Sequence, residues 1–244
     1  MVDVHELIKE AGRCRGRYEG LTPVYRNDAA IDDLFQWTMN FADLKTSVEN
    51  ASSRAIKASA DVGVDTGPII SMFLKLKAGL QASASNARVV KTVASEDNRL
   101  NLLAVAEAVL NRQSAVTTDP ARRDPPEYFR FQDAFKAFPF GAEDELLAEL
   151  GNEVGQPIVK RWKTGSRLFH DAPQFVYASR EPQPLAAVLM VPPNEDKQVW
   201  GNSNAMYPSG QNRVFFGRFG AVQDGVRFVN TMYYVADGIT PASA

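Results

Sequence analysis

The chain has 244 residues, 45% of them hydrophobic and 23% charged, the ordinary balance of a globular protein. Lys and Arg number 27 against 29 Asp and Glu, a net charge of -2. These values exclude a disordered tail, a collagen-like fibre and a uniform polycation. The length suffices for one large domain or two small ones, with about 70% of the unfolded surface removable from water.

The N-terminus, Met1-Val2-Asp3-Val4-His5-Glu6, has neither the basic start nor the apolar stretch of a secretion signal. The longest apolar runs, 69–76 (interrupted by Lys75) and 185–191, fall short of the roughly 18–20 residues of a membrane span. A cytoplasmic location is expected, or a virion for a viral chain, with no membrane partner. The one cysteine, Cys14, cannot form an internal disulfide. With His5 and His170 it also falls below the four ligands of a structural zinc site. No cofactor is expected. Asn50-Ala51-Ser52 matches a glycosylation sequon, which a cytoplasmic chain would not use.

The first half has a helical period. Ile31, Leu34, Phe35, Phe41, Leu44 and Val48 recur at three- and four-residue spacing, with Asn27 and Asp28 as N-cap candidates. The pattern extends through Ala51, Ala55 and Ile56 to a break at 61–63. A second helix is expected from Thr66-Gly67-Pro68, where proline suits the first turn. Ile69, Ile70, Phe73, Leu74, Leu76 and Leu80 give it an apolar face. A third should begin near Ser95, with Glu96 and Asp97 favouring the helix dipole and Leu100, Leu103, Ala106, Val109 and Leu110 as its buried stripe. Residues 1–116 therefore read as a helical bundle.

Pro120, Pro125 and Pro126 make 117–126 a linker. Residues 127–244 read as β-rich with short helices, whether as a second domain or a continuation of the first. Phe129, Phe131, Phe135, Phe138 and Phe140 crowd its start, a short helix is expected over 142–150, and strands over 174–179, 185–191, 213–219 and 226–235. The last two read as a hairpin. An antiparallel sheet is expected, so the fold class is α+β: an N-terminal helical bundle followed by a C-terminal antiparallel β-rich region.

Motifs of catalysis are weak here. Asp65-Thr66-Gly67 matches the aspartic-protease loop, but that chemistry needs two such carboxylates, and Pro68 with the helical period after it reads as a helix start. His5-Glu6 has Lys9 where a zinc protease has its second histidine. Ser166, His170 and Asp171 lie within six residues, whereas hydrolase triads converge from distant segments. Cys14 sits among Arg13, Arg15 and Arg17, cations that favour a thiolate, and His5 is the one base near it in sequence; an exposed or half-buried cysteine without a catalytic role is the plainer reading. Gly217-Arg218-Phe219-Gly220 lacks the spacing of a phosphate loop. Glu143-Asp144-Glu145 is explained by a helix start.

Over 160–180, Lys160, Arg161, Lys163, Arg167 and Arg180 face one acid, Asp171, a net of +4. Trp162, Phe169, His170 and Tyr177 are interleaved. Cations with aromatics suit a single-stranded nucleic acid through phosphate neutralisation and base stacking; a solvated basic face is the plainer account. Lys160, Arg161, Trp162, Lys163 and Arg167 are the candidate nucleic-acid residues, and no residue is assigned a catalytic or metal-binding role.

With no catalytic constellation, and with loops such as 200–210 rich in Pro, Gly, Asn and aromatics, the expected function is a self-assembling, non-enzymatic structural subunit. A coat, nucleocapsid or other shell protein fits, forming homo-oligomers and able to contact nucleic acid. The alternatives are an enzyme with an unrecognised site, hydrolase or transferase, and a monomeric partner-binding module.

Overall fold

The computed structural model describes residues 2–41, 43–60, 65–82, 89, 93–94, 98–119, 122, 124–132, 136–138, 173–179, 185–190, 199–201, 213–223 and 226–237. It has helices in the first half and a sheet built mainly from the second, an α+β fold. Two compact units are present: Met1–Glu19 with Asp28–Ala115, and Gly20–Asn27 with Val116–Ala244.

The first unit is helical. α1 (Val4–Gly16) starts at Asp3, whose carboxylate accepts from the amides of His5 and Glu6, satisfying two of the free donors of a first turn. Val4, Leu7, Ile8, Ala11 and Cys14 form its buried stripe. The continuous helix expected over 31–56 is instead three: α2 (Asp28–Phe41), α3 (Leu44–Asn50) and α4 (Ser53–Lys57). The breaks have local causes. Asp43 is left-handed at φ 50, a conformation Asp tolerates better than most residues. Ser52 caps α4 by accepting from the amide of Ala55 at 3.0 Å, so the serine of the sequon motif is a helix cap.

α5 (Gly67–Ala82) begins where Pro68 predicted it and buries Ile69, Met72, Phe73, Leu76 and Leu80. α6 (Arg99–Arg112) starts at Asn98 and buries every residue from Asn101 to Leu110. In place of the expected one-sided stripe the helix is buried on all sides, as a central helix is, and α1, α2 and α5 all pack against it.

The second unit is a sheet of nine strands among the described residues. They are β1 (Thr22–Asn27), β2 (Val116–Thr117), β3 (Tyr128–Gln132), β4 (Lys136–Phe138), β5 (Pro173–Ser179), β6 (Leu185–Met190), β7 (Val199–Gly201), β8 (Arg213–Gln223) and β9 (Val226–Ala236). The order is β2-β3-β8-β9-β6-β5-β4, with β1 against both β9 and β7. The sheet is mixed, not antiparallel as expected: β2–β3 and β6–β9 run parallel. The β8–β9 hairpin is necessarily antiparallel and uses one edge of β9. β6 reaches the other edge through the long stretch 191–225, long enough for a parallel crossover. The hairpin pairing continues to Gln223↔Val226, so the strands extend into the six residues between them as read from sequence. The short helix expected over 142–150 lies outside the described residues.

That free edge of β9 is shared. β6 covers Arg227 to Asn230, and β1 covers Tyr233 to Ala236. β1 comes from the segment read as helical, a strand missed from sequence. It has no alternation, because a register shift between Pro23 and Tyr25 turns Val24 and Tyr25 both inward, as a bulge does. Aromatic rings fill the sheet's core: Phe215 stacks on Tyr234 at 4.1 Å between centroids, and Phe129 on Phe131 at 4.6 Å.

Candidate functional site

The most polar buried cluster in the described residues joins α1 to α6. Glu107 is the one acid in the apolar run 102–110, and its side chain is fully buried. A bare carboxylate there would cost several kcal/mol (~3 or more), so it needs a partner. Two residues at the end of α1 supply it. Arg17 Nη1 donates to Oε1 at 3.0 Å and Tyr18 O–H donates to Oε2 at 2.8 Å. The Arg17 nitrogen also lies 3.5 Å from Cys14 Sγ, and Asn111 Nδ2, one turn along α6 from Glu107, donates to the same sulfur at 3.5 Å. Arg17 keeps 40% of its side chain exposed; Cys14 is fully buried.

Cys14 and His5 are not brought together. Nine residues apart on one helix, they stand about 13 Å apart along its axis and on opposite faces. His5 Nδ1 instead meets Ser59 Oγ at 3.0 Å, and that hydroxyl also reaches the Ala55 carbonyl at 3.0 Å. Ser59 has one proton, and the carbonyl can only accept. The hydroxyl therefore donates to Ala55 and receives the Nδ1–H of His5. That direction is opposite to what a serine nucleophile needs from its base.

The aspartic-protease resemblance resolves into a helix start. Asp65 Oδ1 accepts from the Gly67 amide at 3.2 Å, a local turn leading into α5. On α2, Asp28 and Asp32 flank the Arg99 guanidinium. Burial raises the Asp32 carboxyl above its usual range, outweighing the opposite pull of the Arg99 hydrogen bond and charge. Among the described residues no three His, Cys, Asp or Glu gather as a metal site, and no helix is long and apolar enough to cross a membrane.

Lys160, Arg161, Trp162, Lys163 and Arg167 lie outside the described residues, as do Ser166, His170, Asp171 and Glu143–Glu145. Of the five phenylalanines at 129–140, Phe129 and Phe131 are fully buried in the sheet. The exposed large apolar side chains among the described residues are Trp37 and Val222. The Arg17–Tyr18–Glu107 group was missed from sequence, although a single acid among eight apolar residues over 102–110 is the signal of a buried, paired charge. No protein-family model, curated protein or solved structure matches this chain.

Proposed function

We propose that this chain is a self-assembling structural subunit, of the coat, nucleocapsid or comparable shell kind, held together by contacts between copies. The observation that carries the reading is the open sheet. Its path ends at β2 and β4, and among the described residues each of these, like β7, pairs on one side only. A strand with a bare row of N–H and C=O groups is a template for another strand. β4 also sits in a Phe-rich stretch, Phe135-Lys136-Ala137-Phe138. Glu107 and Ser59, polar groups buried in the helical unit, are taken up by hydrogen bonds to α1 and the residues at its end, a structural use.

Within such an assembly, Lys160, Arg161, Lys163 and Arg167 face nucleic acid and Trp162 stacks on a base; the location is then a virion, or the cytoplasm where particles form. Sedimentation and light scattering on the native protein at about 50 µM, across salt and pH, test the assembly, because mass action favours oligomers at that concentration. Multimers of defined size are expected. A strict monomer under every condition removes the reading and leaves the two alternatives, an enzyme with an unrecognised site and a monomeric partner-binding module. The nucleic-acid contact has its own test. Single-strand binding should fall steeply with salt, and Lys160→Glu with Arg161→Glu and Lys163→Glu should abolish it; unchanged affinity makes the stretch a solvated face.

A further inference from the structure

We infer that copies of this chain join by exchanging β1, each copy laying its Thr22–Asn27 strand on the β9 edge of a neighbour. The inference rests on the assembly reading and adds to its open edges a second contact between copies. β1 is bonded covalently to one unit and by hydrogen bonds to the other. α2 begins at Asp28, directly after β1, and α1 ends at Gly16 just before it. These flanking helices belong to the helical unit, while β1 itself belongs to the sheet.

If β1 travels with its helices, one covalent crossing remains between that body and the rest of the sheet, at Ala115–Val116. Directly before it stands a strained residue. Ser114 has φ 55. Its amide donates to Asn111 O at 3.0 Å and the Ala115 amide to Leu110 O at 3.0 Å. This pair of bonds is the Schellman helix ending, whose left-handed position glycine fills at far lower cost than serine. Opening the chain there releases the strain.

Every β1–β9 and β1–β7 hydrogen bond re-forms when a second copy supplies the strand, so the exchange changes which copy provides the contacts and not what they are. The acceptor edge specifies its occupant. Tyr233, Tyr234, Val235 and Ala236 are all buried in the closed chain, so the backbone edge of β9 there must stay paired, and the register to Thr22–Arg26 makes β1 of another copy the matching strand.

Paired cysteines test this. In a Cys14→Ala background, Thr22→Cys and Ala236→Cys stand opposite each other in the β1–β9 register, at a spacing that suits a disulfide. The assembled fraction is oxidised and run denatured without reductant. Covalent dimers and longer ladders are expected from it. Disulfides wholly within single chains, from a fraction that sediments as an assembly, overturn the exchange and leave the assembly standing. The absence of any such fraction overturns both. Arg26→Cys with Tyr233→Cys reads the same register should the first pair fail to fold. Ser114→Gly removes the strain from the closed chain and should lower the exchanged share about five-fold; an unchanged share overturns Ser114 as the hinge.

Discussion

Arg17→Met tests whether the fully buried Glu107 carboxylate depends on the Arg17 guanidinium. Removing the cation takes a charged partner from a buried anion, a class of change that costs about 3–5 kcal/mol. Arg17 is 40% exposed, so water can approach the vacated side, and the expected loss is at the low end, ~3 kcal/mol. Glu107→Gln keeps the shape but makes the charge-assisted bond neutral and offers Tyr18 one acceptor at best, for about 1.5–2 kcal/mol. The decisive variant is the double one. With Arg17→Met and Glu107→Gln together no unpaired charge is buried, and the amide oxygen still accepts from Tyr18. The double variant should therefore be more stable than Arg17→Met alone by about 1–2 kcal/mol, a non-additivity large enough to resolve. Urea unfolding followed by the far-ultraviolet helical signal measures all four corners of the cycle, at matched m-values. Additive losses, or an Arg17→Met variant within about 0.5 kcal/mol of wild type, would refute the idea that Arg17 neutralises Glu107.

The sheet and the second helix offer further tests. A Cβ at Gly217 would stand 2.2 Å from Asn230 O and 2.9 Å from the Phe129 ring, so Gly217→Ala should destabilise by about 3 kcal/mol or leave the protein insoluble; a soluble variant with unchanged thermal midpoint contradicts the β8–β9 register. Burial pushes the Tyr25 phenol from 10.0 up to about 12, against the smaller opposite pull of the Asn27 hydrogen bond. The folded state then keeps a proton that the unfolded state has lost, so stability drops as pH rises from about 10 to 12, by roughly 2–3 kcal/mol. Tyr25→Phe should flatten that drop in alkaline unfolding curves. Asp32, with its carboxyl raised by burial, also binds its proton more tightly when folded. Its contribution is greatest at acid pH and is lost as pH rises through the carboxylate range. Unfolding curves of Asp32→Asn at pH 3.5–7 should lack that decline, and a steeper decline than wild type would reverse the assigned sign.

Local chemistry explains which elements could be read in advance. The starts of α2 and α5 carry their signals within a few residues, Asn27-Asp28 and Gly67-Pro68. α1 carries equally good ones in Asp3 and the spacing of Val4, Leu7, Ile8 and Ala11. The α2–α3 break was beyond reach, because Asp43 at φ 50 interrupts an apolar period that continues on both sides. β1 was hidden for a different reason. Its partner β9 is some two hundred residues away, and the bulge at Pro23–Tyr25 erases the alternation by which a half-buried strand is recognised.

The same distinction applies to the polar groups. Glu107 could be flagged from sequence as a charge needing a partner, since the need is a property of its own apolar neighbours. That the partners are Arg17 and Tyr18 could not, because nothing local ties residues 17 and 107 before α1 packs on α6. Gly217 is the extreme case: its lack of a side chain matters only once β8 lies between Phe129 on β3 and Asn230 on β9. Cys14 makes the converse point. Its arginine-rich neighbourhood in sequence favours a thiolate, yet Arg15 is engaged with Glu19 and Asp65, and Arg17, although 3.5 Å from the sulfur, is paired with the Glu107 carboxylate. Adjacency along the chain placed charge near the sulfur; packing gave the charge to carboxylates and closed the sulfur off from solvent.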